Sequence, residues 1–127
     1  MMNIKKSKNN INGNCFNMSV ENIEKVITVF HGRVKEYFSE KYKSMYVYGS
    51  CARGDYTEYS DIDIFVLLDV RRENISEELG KFCELESDLN LENDVQIAVV
   101  AESLDYFNEW KDYNPLYINV LKEGIKL

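Results

Sequence analysis

Met45-Tyr46-Val47-Tyr48-Gly49-Ser50-Cys51-Ala52-Arg53-Gly54-Asp55-Tyr56-Thr57-Glu58-Tyr59-Ser60-Asp61-Ile62-Asp63-Ile64-Phe65-Val66-Leu67-Leu68 is the stretch that decides the fold. Two apolar runs, 45–48 and 64–68, read as short strands. Gly49-Ser50 ends the first strand, and 50–53 reads as a single helical turn closed by Gly54. Asp55 to Ser60 is a polar loop. The second strand runs from Asp61 to Leu68 and is apolar on both faces at its centre, as in a strand covered on both sides. Side chains alternate along a strand, which places Asp61 and Asp63 on one face.

That arrangement has a chemistry. Two adjacent carboxylates repel and are costly unless a cation lies between them. Mg²⁺ is a hard ion held by one or two carboxylates together with substrate phosphates. Gly49 permits close backbone approach, and Ser50 can offer a hydroxyl and a backbone N–H to phosphate oxygens. A phosphate-sized turn beside two carboxylates suits a metal-bound nucleoside triphosphate. In a metal-assisted nucleotidyl transfer, one ion would activate the attacking oxygen and a second would stabilise the leaving pyrophosphate. Gly-Ser alone is a common turn, and Asp-x-Asp alone can be exposed charge. The ordered combination is the specific signal.

Outward from this stretch, apolar residues from Val20 to Phe38 recur at helical spacing and predict a helix over about 20–42, with Ser19 as N-cap. His31, the sole histidine, reads as a surface residue rather than a general base. Asp69 to Asn74 is a charged turn, and Ile75 to Leu91 predicts a second amphipathic helix. Val95 to Ala101 predicts a third strand. Ser103 opens a short helix, and Asn114-Pro115 opens a last one that Gly124 stops. Tyr106, Phe107, Trp110, Tyr113 and Tyr117 read as core, with a homodimer or partner surface as the alternative. The order of elements is that of one α/β or α+β domain over 19–127, preceded by a flexible arm over 1–18.

Composition narrows the function classes. The chain has 127 residues and a net charge of −7, although Lys5, Lys6 and Lys8 lie in the arm. An acidic body repels nucleic acid, whose affinity is dominated by phosphate contacts. No apolar run reaches the ~20 residues of a membrane helix, and 1–18 has no apolar core of a secretory signal. A cytoplasmic protein is expected. Cys15, Cys51 and Cys83 are too few and too scattered for a disulfide framework or a zinc site.

The residues Tyr48-Gly49-Ser50, Ala52-Arg53-Gly54 and Ser60-Asp61-Ile62-Asp63-Ile64 resemble the minimal nucleotidyltransferases of the DNA polymerase β superfamily. The tail through Trp110, Pro115-Leu116-Tyr117 and Glu123-Gly124 is similar to small bacterial stand-alone members. The resemblance implies a mixed β-sheet packed against helices, with ATP as substrate and Mg²⁺ as cofactor. It gives Asp61 and Asp63 a metal-binding, catalytic role, Gly49 and Ser50 a phosphate-binding role, and Arg53 a place in neutralising phosphate. It also implies a third carboxylate on the neighbouring strand. Asp94 is the only acid at that strand, at its very start, and is carried as the third metal ligand and catalytic residue. If Gln96 holds the matching position instead, the base is missing, because an amide can coordinate a metal but cannot accept a proton there. Glu92 and Glu102 are weaker substitutes.

A domain this small has little room for its own acceptor site, which points to an acceptor on a partner. Stand-alone members are often antitoxins of helical HEPN-domain toxins, and some transfer AMP to a toxin tyrosine. The expected activity is therefore AMP transfer from ATP to a hydroxyl of a HEPN-type partner. The alternatives are an antitoxin that acts by binding alone and a small-molecule nucleotidyltransferase of the aminoglycoside or lincosamide type.

Overall fold

The computed structural model describes Ile4, residues 20–57 and residues 59–127. The basic arm and the Ser19 cap otherwise lie outside the described residues. Ile4 is buried against the core.

Helix α1 (Val20–Phe38) buries Ile23, Val26, Ile27, Phe30, Val34 and Phe38, the i, i+3, i+4, i+7 stripe of an amphipathic helix. It stops four residues earlier than the periodicity suggests. Ser39 takes a left-handed φ of 53°, a short 3₁₀ turn follows, and Tyr42 already belongs to a strand. His31 is half-buried rather than free on the surface, and its Nε2 lies 2.7 Å from the Tyr42 hydroxyl. Burial, and then the charge of Lys35, lowers its pKa.

Strand β1 (Tyr42–Tyr48) leads through the single turn α2 (Ser50–Arg53) to β2 (Ile62–Leu68). Helix α3 (Ile75–Asn93), strand β3 (Ile97–Ser103), helices α4 (Leu104–Trp110) and α5 (Pro115–Glu123) and a two-residue strand β4 (Ile125–Lys126) complete the domain. The sheet order is β3-β2-β1-β4. β1 runs antiparallel to β2 and β4, whereas β2 and β3 are parallel, joined by the crossover helix α3. The expected mixed sheet packed against helices is what forms.

β3 starts two residues later than Val95. Asp94 adopts a left-handed conformation (φ 51°) and caps α3, its N–H donating to the Asn90 carbonyl. Val95 N–H donates to the same carbonyl at 3.1 Å, so this segment finishes a helix before it begins a strand.

Alternation divides the sheet into two cores. Met45, Val47, Ile64 and Val66 face α1 and α3, where Phe38 stacks on Phe82 with centroids 5.0 Å apart. Tyr46, Tyr48 and Phe65 face α4 and α5, where Phe65 meets Phe107 and Tyr117. Asp63 pairs across the ladder with Tyr48, which puts its carboxylate on this second face, at the end where packing runs out. The aromatic tail thus splits. Phe107 and Tyr117 are core, whereas Trp110 and Tyr113 are 43% and 73% exposed.

Candidate active site

The site is assembled by a reversal between β1 and β2. Gly49 has φ 70° and ψ −150°, a conformation open almost only to glycine. A Cβ at this position would overlap the Asp63 carboxylate. Glycine is required twice here, by the backbone and by the space the carboxylate occupies. The chain then makes one helical turn, in which Arg53 N–H donates to the Gly49 carbonyl (3.0 Å) and Gly54 N–H to that of Ser50 (2.9 Å). Gly54, at φ 87°, reverses the turn.

Cys51 and Ala52 are buried and pin the turn to the sheet, and Tyr56 anchors the following loop. Cys51 is therefore a packing residue, with Sγ 3.8 Å from the Asp61 carbonyl. Burial, reinforced by the negative charges of Asp63, Asp55 and Asp61, pushes its thiol up to about 12, which keeps it protonated and unreactive. Thr57 N–H donates to Ser60 Oγ at 2.8 Å, and Tyr59 N–H to Thr57 Oγ1 at 3.2 Å. These local bonds return the loop to β2 in a fixed register.

Gly49, Ser50, Asp61 and Asp63 thus come together at one end of the β1–β2 pair, as the sequence pattern requires. Asp61 is exposed and Asp63 half-buried. Burial raises the Asp63 pKa, the charge of Asp61 raises it further, and Arg53 opposes both. Its negative charge also acts on Tyr48, whose pKa is raised first by burial and then by Asp63. Arg53 lies at the rim, bonded through Nε to Asp55 (3.1 Å) and through Nη1 to Glu123 at the end of α5 (3.4 Å).

The neighbouring strand is different. In the parallel register Asp63 lies opposite Ala98, and Ile62 N–H donates to the Gln96 carbonyl at 2.8 Å. Gln96, two residues before Ala98, lies just ahead of the strand and is exposed. Asp94 lies outside the strand, in the α3 cap. Among the described residues no group of three histidine, cysteine or acidic side chains is placed to hold a metal, so Asp94 does not join Asp61 and Asp63. Asp61 and Asp63 nevertheless fit a hard divalent cation. Both supply oxygen, a cation would relieve their mutual repulsion, and phosphate and water oxygens would fill the remaining positions.

Two participants escape sequence reading. Glu123 reaches Arg53 from 70 residues away, with no local signal. Tyr48 is adjacent to Gly49, yet its pairing with Asp63 depends on the ladder register.

The chain matches the nucleotidyltransferase domain family over residues 31–127. A Methanocaldococcus jannaschii protein named as a candidate protein adenylyltransferase is 36% identical over 103 residues, which is 81% of this chain and 95% of that protein. The bifunctional uridylyltransferase/uridylyl-removing enzyme of Pseudoalteromonas translucida is 34% identical over 100 residues, which cover 76% of this chain but 11% of the enzyme. Among solved structures, a toxin-antitoxin with AMP-PNP is 21% identical, with a TM-score of 0.48, covering 86% of this chain and 72% of that one. A mutant of the toxin-antitoxin MntA-HpeT is 24% identical, with a TM-score of 0.46, covering 82% and 69%. Both superpose too loosely to bear on chemistry or partner.

Proposed function

The chain belongs to the nucleotidyltransferase domain family, and from that premise we propose that it transfers AMP from ATP, with Mg²⁺, to a hydroxyl of a partner protein. The observation that carries this reading is Gly49. Its backbone and its missing Cβ make room for the Asp63 carboxylate directly beside the turn that begins with Ser50.

In this reading Asp61 and Asp63 hold Mg²⁺, while Gly49 and Ser50 receive the triphosphate. Arg53 exchanges one of its exposed carboxylate partners for phosphate, at little cost, since such surface pairs are weak. Mg²⁺, when bound, supplies charge neutralisation on the phosphates. The acceptor oxygen bonds to the α-phosphorus, the bond from that phosphorus to the β-bridging oxygen breaks, pyrophosphate leaves with the electron pair, and the acceptor proton is released.

A protein acceptor is supported by the name of the Methanocaldococcus jannaschii relative, which this chain matches over nearly its whole length. A HEPN-type helical partner and a toxin–antitoxin role follow from the family resemblance of the motifs. A net charge of −7 disfavours nucleic acid as acceptor. No described helix is long and apolar enough to cross a membrane, and a cytoplasmic location suits an ATP-using enzyme.

The test is to incubate the protein with labelled ATP, Mg²⁺ and a candidate helical partner protein, and to weigh the partner. One added AMP, lost in Asp61→Asn and Asp63→Asn, is the expected result. An unchanged partner mass, with neutralisation intact in both variants, would instead establish an antitoxin that acts by contact. Among the described residues no third acid groups with the pair, which favours that second reading.

A further inference from the structure

Resting on the proposed reading of the Asp61/Asp63 site, we infer that the chain by itself holds one divalent cation with its nucleotide rather than two, and that the side chains of β3 set this limit. A second ion beside the first needs a further anionic ligand on the Asp63 side of the pair, because two dications held close together repel strongly. The strand that should supply the ligand is β3, hydrogen-bonded along β2 in parallel.

Its residue opposite Asp63 is Ala98, which offers a methyl group. Just ahead of the strand, on the side toward Asp61, is Gln96, whose amide carries no charge and whose Nε2 donates to the Ile97 carbonyl at 3.2 Å. Asp94, two residues further back, is turned into the left-handed cap of α3. Glu102, the acid within β3, lies at the far end of the strand, where the Tyr117 hydroxyl and the Ser103 N–H both donate to it. Among the described residues no third acid, histidine or cysteine gathers at the pair.

The consequence concerns the acceptor. With Ala98 opposite Asp63 and Glu102 held at the far end of β3, this strand places no base beside the pair, and it is the outer strand of the sheet.

The test counts ions. The full chain is titrated with Mn²⁺ at saturating non-hydrolysable ATP analogue, and bound Mn²⁺ is read by electron paramagnetic resonance. One ion per wild-type chain is expected, two in Gln96→Asp or Ala98→Asp, and one in Asp94→Asn. Two ions on the wild type would overturn the inference while leaving the proposed function standing. So would a count of one in both Gln96→Asp and Ala98→Asp. If Asp61→Asn and Asp63→Asn bind ion and nucleotide as the wild type does, the proposed site itself fails and this inference with it.

Discussion

Gly49 and Glu86 show how single residues set opposing demands. At Gly49 any larger residue meets both a forbidden backbone conformation and the Asp63 carboxylate. Gly49→Ala is expected to cost about 1–3 kcal/mol in backbone strain and to abolish nucleotide binding, because the carboxylate must move. Chemical denaturation and titration with an ATP analogue check the two parts. Glu86 on α3 is the reverse case, a residue the fold would be more stable without. Its Oε2 is buried without a hydrogen-bond partner, and burial raises its pKa. A carboxyl whose pKa is raised by folding holds its proton more tightly in the native state than in the unfolded one. Its penalty is absent below the unfolded value of about 4.3 and grows as pH rises through the native value. Glu86→Gln should therefore raise the thermal midpoint at pH 7, and the gain should vanish toward pH 4. A gain that persists at acid pH would show that burial of the charge is not the cause.

Between elements, the contact of α1 with α3 joins two kinds of interaction of unequal worth. Arg33 forks onto Asp88, at 2.6 and 3.0 Å, and its Nη1 also reaches the Leu85 carbonyl at 3.0 Å. The pair is exposed, and exposed ion pairs contribute roughly 0–1 kcal/mol. Beneath it Phe82 is buried against Phe30 and Phe38. Asp88→Ala should cost little, since solvent screens the pair, whereas Phe82→Ala should cost about 3–5 kcal/mol through lost burial and the cavity left behind. Urea denaturation of the two variants, compared at low and high salt, separates them, since only the first effect shrinks with salt. Helix ends follow a similar logic. α1 and α3 each stop at a residue with positive φ, Ser39 and Asp94, and neither stop is written in the hydrophobic periodicity.

Across the whole molecule, the C-terminal segment ties the far end of the sheet to the site. The α5 residue Tyr117 is buried, and its hydroxyl donates to Glu102 at the end of β3. Arg72, 3.6 Å from the same carboxylate, lies over the Tyr106 ring at 3.7 Å. Burial first, and then the bond to Glu102, raises the Tyr117 pKa, so it remains a donor throughout the physiological range. Tyr117→Phe should cost about 1–3 kcal/mol by leaving Glu102 under-satisfied, measurable as a lower denaturation midpoint with nucleotide affinity kept. At the other end of α5, Glu123 holds Arg53, and Gly124 packs where a Cβ would overlap the Val120 carbonyl before β4 joins β1. The parts governed by local rules are legible in residue order. Apolar runs gave the two central strands, and glycines at 49 and 54 gave the turn. Asp-x-Asp spacing brought the two aspartates near each other, Asp61 just ahead of β2 and Asp63 within it, and Asn114-Pro115 opened α5, with Asn114 Oδ1 accepting from Leu116 N–H at 2.9 Å. Only the tertiary structure decided which residue of β3 lies beside Asp63. Register between strands joined by a 19-residue helix depends on where that helix stops. The left-handed cap at Asp94 takes up the acid expected as the third ligand and leaves Ala98 opposite Asp63.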